Sequence, residues 1–269
     1  MRGGVHMRRR DGERGKRWQT LRENRRHGIY LLPSLLTVGN IFSGFLSMVL
    51  TFDGRYSEAA LAIFVAMVMD ILDGKVARLT KTTTLFGKEF DSLADVVSFG
   101  VAPGLLLYSY AFKDLGRIGW LAAFLFVICG ALRLARFNVM TLSQDRRYFI
   151  GLPIPGAAGG VASWVFLLGE REFTRWELMV IALATYLLAF LMVSSVRYYS
   201  FKELDFARER PFGVVLLVVL AVLIIASHPA LFAFLLFSTY ALSGLARWLF
   251  FRRREPILAP EGKSGGDAY

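Results

Sequence analysis

Apolar stretches long enough to cross a bilayer recur along the whole chain, at about 31–51, 58–76, 92–112, 118–136, 156–170, 176–195, 211–227 and 229–249. A helix that spans the hydrocarbon core needs roughly 20 mostly apolar residues, fewer where neighbours thin the membrane. In lipid every backbone N–H and C=O must be satisfied internally, and within one short segment only a helix does that. The chain is 55% hydrophobic, above the roughly 45–50% of soluble domains. The expected fold is therefore all-α: a polytopic membrane helical bundle of about eight transmembrane helices. Gly169 to Arg175 and Ser227-His228-Pro229 carry the turn chemistry that divides the last four stretches.

Charge orients the bundle. The net charge is +11, and ten Arg/Lys fall in the first 26 residues. With the N-terminus inside, 27 of the 32 Arg/Lys lie on the cytoplasmic side. Only Arg55, Lys113, Arg117, Arg171 and Arg175 fall outside. This bias predicts cytoplasmic termini and an even number of crossings. The basic charge sits in loops and tails, not on a folded soluble face, so nucleic acid is not the expected partner. Residues 1–28 read as a cytoplasmic tail, drawn to anionic headgroups or acting only as a topology signal. Residues 29–250 read as one membrane domain and 251–269 as a flexible basic tail. The single cysteine, Cys129, excludes an internal disulfide, and His6, His27 and His228 share no helical face. Any metal site must then be built from carboxylate oxygen, which suits hard cations.

Such carboxylates are present. Between the second and third stretches runs MDILDGKVARLTKTTTLFGKEFDSLAD, with Asp70, Asp73, Asp91 and Asp95. A charged residue at mid-helix costs about 2.5–3.5 kcal/mol on insertion scales, so four together require an explanation. Asp70 and Asp73 share one helical face, as do Asp91 and Asp95 on the next helix. The polar linker LTKTTTLFGKE closes a cytoplasmic hairpin that would bring all four together. Carboxylates that close repel unless cations neutralise them. Two Mg²⁺ or Mn²⁺ ions would fit, with phosphate oxygens completing the coordination. Gly74 and Ala77 leave room for a bulky group against the backbone, and Arg78 can grip a phosphate by two hydrogen bonds. Gly87 would relieve the start of the next helix. The competing reading is that the aspartates cap helix ends and pair with Lys75, Arg78, Lys81 and Lys88.

The complete spacing is D-x2-D-G-x2-A-R-x8-G-x3-D-x3-D. It resembles, with no departure, the signature of the CDP-alcohol phosphotransferases, integral membrane enzymes of phospholipid synthesis. The resemblance implies attack of an alcohol on the β-phosphorus of a CDP-linked lipid, with release of CMP. It implies Asp70, Asp73 and Asp91 as metal ligands. Asp95 would bind the second metal and accept the proton of the attacking hydroxyl. Gly74 and Ala77 would pack against the cytidine end, with Arg78 on phosphate. Homodimers are common in that family.

Four further stretches, SLLTVGNIFSGFLSM, GALRLARFNV, FIGLPIPGAAGG and SSVRYYSFKEL, are similar to the phosphatidylserine synthases of this superfamily. The resemblance then implies CDP-diacylglycerol and L-serine as substrates and an integral membrane enzyme whose active site faces the cytoplasm. Read by themselves, Arg133 and Arg136 end a helix on the active-site side, where a serine carboxylate or a lipid phosphate needs a cation. Arg197 and Lys202 are further candidates. Thr37 and Asn40 lie one turn apart in the first helix, placed either to contact the CDP moiety or to hydrogen-bond between helices. Pro153 and Pro155 mark a helix start. Two rival readings remain open: the same chemistry with glycerol 3-phosphate, inositol phosphate or an ether-lipid donor, and a cation or metabolite transporter.

Overall fold

The computed structural model describes residues 34–80, 84–140, 148–199 and 226–251. The basic tail 1–28, Lys202 and most of the stretch 211–227 lie outside them. The helices are α1 (Ser34–Phe52) and α3 (Leu85–Leu115), with α2 (Tyr56–Thr80), α4 (Arg117–Met140), α5 (Ile154–Leu168), α6 (Arg175–Val193) and α7 (Pro229–Phe251). Each coincides with an expected apolar stretch. Five helices, α1, α3, α4, α6 and the first 18 residues of α7, are long and apolar enough to cross a membrane. α2 carries Glu58, Asp70, Asp73, Lys75 and Arg78, and α5 has only 15 residues. A departure from the all-helical expectation is a two-stranded antiparallel ladder, β1 (Tyr148–Ile150) with β2 (Arg197–Tyr199).

Local chemistry sets the boundaries. Gly54, at φ 76°, turns the chain from α1 into α2, and Arg55 then pairs with Glu58 in the first turn of α2. Thr84 caps α3 by accepting from the Gly87 N–H at 2.9 Å. Thr174 and Glu177 form a reciprocal capping box at the start of α6. Gly151, at φ 78°, enters the α5 start against α6. A Cβ there would lie 2.3 Å from the Met192 carbonyl oxygen, so only glycine fits.

Pairwise contacts fix helix directions. Gly39 of α1 meets Met69 of α2, and Thr37 meets Asp73, so α1 and α2 are antiparallel. Tyr56 reaches Ser109, so α2 and α3 are too. Gly104 packs on Ala123 and Val127 of α4, reversing direction again. α5 runs with α3, because Gly100 lies beside Ile154 and Tyr110 Oη donates to the Gly169 carbonyl at 2.6 Å. α6 runs with α4: Tyr186 meets Ile118, and Arg136 meets Val193. α7 opposes α5, with Phe237 on Gly159 and Tyr240 on Gly156.

Small residues allow these close approaches. Ala59, Ala60, Ala66, Ala157, Ala158 and Gly159 are buried between helices, as expected where packing rather than water exclusion joins helices in lipid. The perimeter is apolar, with Phe42 64% and Leu183 70% exposed. Inside, α1 turns Thr37, Asn40, Ser43, Ser47 and Thr51 inward. This polar-in, apolar-out arrangement suits a bundle set in hydrocarbon.

Candidate active site

Among the described residues, the start of α1, the end of α2, the start of α3 and the end of α4, which carry all the predicted site residues but Arg197 of β2, meet at one end of the bundle, beside the start of α5. One oxygen each from Asp70, Asp91 and Asp95 lies within 4.8 Å of the others. Helical geometry explains the trio. Residues four apart differ by roughly 40° around the axis, so Asp91 and Asp95 both face α2. Residues three apart differ by roughly 60° in the opposite sense. Asp73 is therefore turned towards α1, where Thr37 Oγ1 donates to its Oδ2. The expected four-carboxylate cluster is thus three carboxylates together, with the fourth beside them and held by α1.

Ion pairing does not account for the group. Among the described residues none of the four aspartates forms a salt bridge. Arg78, exposed, donates from Nε to the Gly74 carbonyl at 2.7 Å. A Cβ on Gly74 would meet nothing within 4 Å, so the space beside this turn of α2 is open, and Ala77 is one turn on. Asn40 is fully buried with its amide directed at Asp95, yet neither its amide atoms nor Asp95 Oδ1 complete a hydrogen bond of ordinary geometry. Buried polar atoms are almost always paired. Three crowded carboxylates, with Arg133 as the one guanidinium acting on Asp95 and no ion pair to any of them among the described residues, form a donor set that fits hard divalent cations.

The α1–α3 contact places Asn40. Ser98 Oγ donates to the Asn40 backbone carbonyl at 2.9 Å. Gly44 lies so close to α3 that a Cβ would be 2.7 Å from Ser98 Cα. Asp95 immediately precedes a π-helical segment, Val96–Val101. The wider turn lets Pro103 sit inside α3, because the Ala102 N–H reaches back to the Val97 carbonyl. Sequence reasoning missed this segment, although Pro103 signalled it.

Of the basic residues, Arg133 is only 8% exposed, and its Nε has no hydrogen-bond partner. It feels the Asp95 charge and stacks over Phe137 at 5.7 Å. Arg136 instead donates to the Val193 carbonyl at 3.3 Å, at the C-terminal end of α6. Arg197 is in β2, opposite Ile150. Asn138 Nδ2 donates to Ser92 Oγ at 3.0 Å and ties the end of α4 to the turn of α3 that bears Asp91.

Comparison with known proteins gives this arrangement a family. The profile of the CDP-alcohol phosphatidyltransferases matches residues 30–193. A CDP-diacylglycerol–serine O-phosphatidyltransferase of Helicobacter pylori is 41% identical over 223 residues, which are 82% of this chain and 92% of that protein. An archaetidylserine synthase of Methanothermobacter thermautotrophicus is 43% identical over 169 residues, 62% of this chain and 69% of the relative. A CDP-diacylglycerol–serine O-phosphatidyltransferase of Methanocaldococcus jannaschii is 34% identical over 221 residues, 82% of this chain and 96% of the relative. The aspartate cluster and these matches agree: the chain belongs to the CDP-alcohol phosphatidyltransferase family.

Proposed function

We propose that the chain transfers the phosphatidyl group of CDP-diacylglycerol to the hydroxyl of L-serine, giving phosphatidylserine and CMP. The observation that carries this reading is the Asp70, Asp91 and Asp95 group, with the buried Arg133 within electrostatic reach of Asp95. Relatives named for transfer to serine support the acceptor. Two divalent cations, Mg²⁺ or Mn²⁺, would be held by Asp70, Asp73, Asp91 and Asp95 and would neutralise charge on the diphosphate. Asp95 takes the proton of the serine hydroxyl as its oxygen bonds to the β-phosphorus. The bond from that phosphorus to the CMP oxygen breaks, and CMP leaves with the pair of electrons. Arg78 holds phosphate, and the open space at Gly74 and Ala77 receives the cytidine end. Thr37 keeps Asp73 in place. Such transfer depends on positioned charge and an in-line nucleophile rather than on covalent chemistry by the protein.

The site faces the cytoplasm of the membrane in this reading, since its end of the bundle is the Arg/Lys-rich one. Helix direction supports the eight-helix count. α6 and α7 run the same way, which fits one further crossing between Val193 and Pro229, for which the sequence offers the apolar stretch 211–227.

The test is CMP release by the purified full chain from CDP-diacylglycerol with Mn²⁺. L-serine, glycerol 3-phosphate and inositol phosphate are offered separately. Release only with serine is expected, and release only with another acceptor would overturn the assignment. The archaetidylserine synthase relative motivates a parallel arm with a CDP-linked ether lipid, in which faster turnover would reassign the donor.

A further inference from the structure

α7 lies beyond residues 30–193 that match the family profile. It nevertheless brings a polar side chain to the acceptor end of the site. Tyr240, partly buried, packs its ring on Gly156, where a Cβ would come within 3.3 Å of it. Two residues earlier, Ile154 fills the notch over Gly130 of α4, where a Cβ would lie 2.6 Å from its Cδ1. Arg133 is one helical turn on from Gly130. The first turn of α5 is therefore a wedge with Arg133 on one flank and Tyr240 on the other. The phenol and the guanidinium are within electrostatic reach of one another, and Asp95 is within reach of the same guanidinium.

A guanidinium this buried with an unpartnered Nε is arranged to receive an anion, because burying an unsatisfied donor is otherwise unfavourable. The diphosphate of the donor is already provided for, by the cations and Arg78 in the reading above. The remaining anion of the reaction is the carboxylate of the acceptor. Tyrosine suits its side of the wedge, with an apolar ring against the helices and a hydroxyl within electrostatic reach of the Arg133 guanidinium.

We propose that Tyr240 and Arg133 together seat the carboxylate of an amino-acid acceptor, and that the Tyr240 hydroxyl determines the choice of acceptor. The inference rests on the serine reading above and deepens it. Acceptor choice then depends on a helix outside the region shared across the family, while the aspartate machinery lies within it.

The experiment compares the full chain with Tyr240→Phe, which removes only the hydroxyl. CMP release is measured with L-serine and with L-serinamide, which lacks the carboxylate. A hydrogen bond to a charged group is lost, so KM for L-serine should rise about tenfold. KM for CDP-diacylglycerol should stay within about twofold. The preference for L-serine over L-serinamide should fall by the same factor as the serine KM rises. An unchanged serine KM, or equal losses with both acceptors, would overturn the role of Tyr240 and leave the serine reading intact. Absence of serine-dependent CMP release from the unsubstituted chain would remove both.

Discussion

Gly44→Ala tests whether the close approach of α1 and α3 holds the site together. The added Cβ would lie 2.4 Å from Ser98 Oγ, 2.7 Å from Ser98 Cα and 2.8 Å from Ser98 Cβ. Carbon atoms in contact rest at about 3.5–4.0 Å, so the two helices must part by about 1 Å. A rotamer change at Ser98 would move the hydroxyl but not the Cα, so the separation cannot be avoided. Two stability effects oppose one another. Alanine is favoured over glycine within a helix by roughly 1 kcal/mol. Overpacking costs about 1–3 kcal/mol. The net loss is then between about 0 and 2 kcal/mol, and the protein stays folded. Activity is the more sensitive readout. Asn40 and Thr37, one and two turns before Gly44, are carried away from Asp95 and Asp73, and a displacement of 1 Å can cost about 10²-fold in rate. The assay pairs thermal unfolding of the detergent-solubilised chain with the rate of CMP release. Gly39→Ala is the control, because its Cβ would sit 3.6 Å from Met69 Sδ, an ordinary contact. Full activity in Gly44→Ala, with Gly39→Ala also active, would refute the positioning role of α1.

Asp95→Asn keeps the shape of the side chain but removes the proton acceptor. It should abolish CMP release while retaining binding of CDP-diacylglycerol, measured by equilibrium dialysis with labelled lipid in micelles. Retained turnover would remove Asp95 as the base. Chelation with EDTA should stop the reaction, with recovery on adding Mg²⁺ or Mn²⁺, because the one guanidinium that acts on the group among the described residues, Arg133, cannot neutralise three carboxylates; full activity in EDTA would sink the two-cation reading. Gly74→Ala meets no atom within 4 Å, so it should hold or raise thermal stability, by up to roughly 1 kcal/mol. It should also weaken the KM for the CDP-lipid if the cytidine end occupies that space, and an unchanged KM would place the nucleotide elsewhere.

Much of the site was legible because its information is local. The spacing of Asp70 and Asp73, and of Asp91 and Asp95, fixes faces on two helices joined by a short hairpin, and the helices deliver them to one place. What was not legible depends on neighbours. Spacing turns Asp73 roughly 60° around the helix from Asp70, but that α1 lies on that side, with Thr37 to hold the carboxylate, depends on a residue 36 positions away. The β1–β2 ladder joins residues nearly fifty positions apart with no hairpin signal between them, so alternation over three residues could not announce it. The π segment after Asp95 is an intermediate case. Pro103 forbids regular α-helix there, yet a kink, a break and a widened turn all satisfy a proline. The structure takes the widened turn, which keeps α3 continuous and shifts the register of every residue beyond Asp95 relative to those before it. The aspartates therefore face α2 while Ser98, Gly100 and Gly104 face α1, α5 and α4 in turn. A strictly α-helical α3 would have to give up one of these contacts. The proline that looks like a flaw in a spanning helix is thus part of what lets one helix serve both the carboxylate cluster and the core.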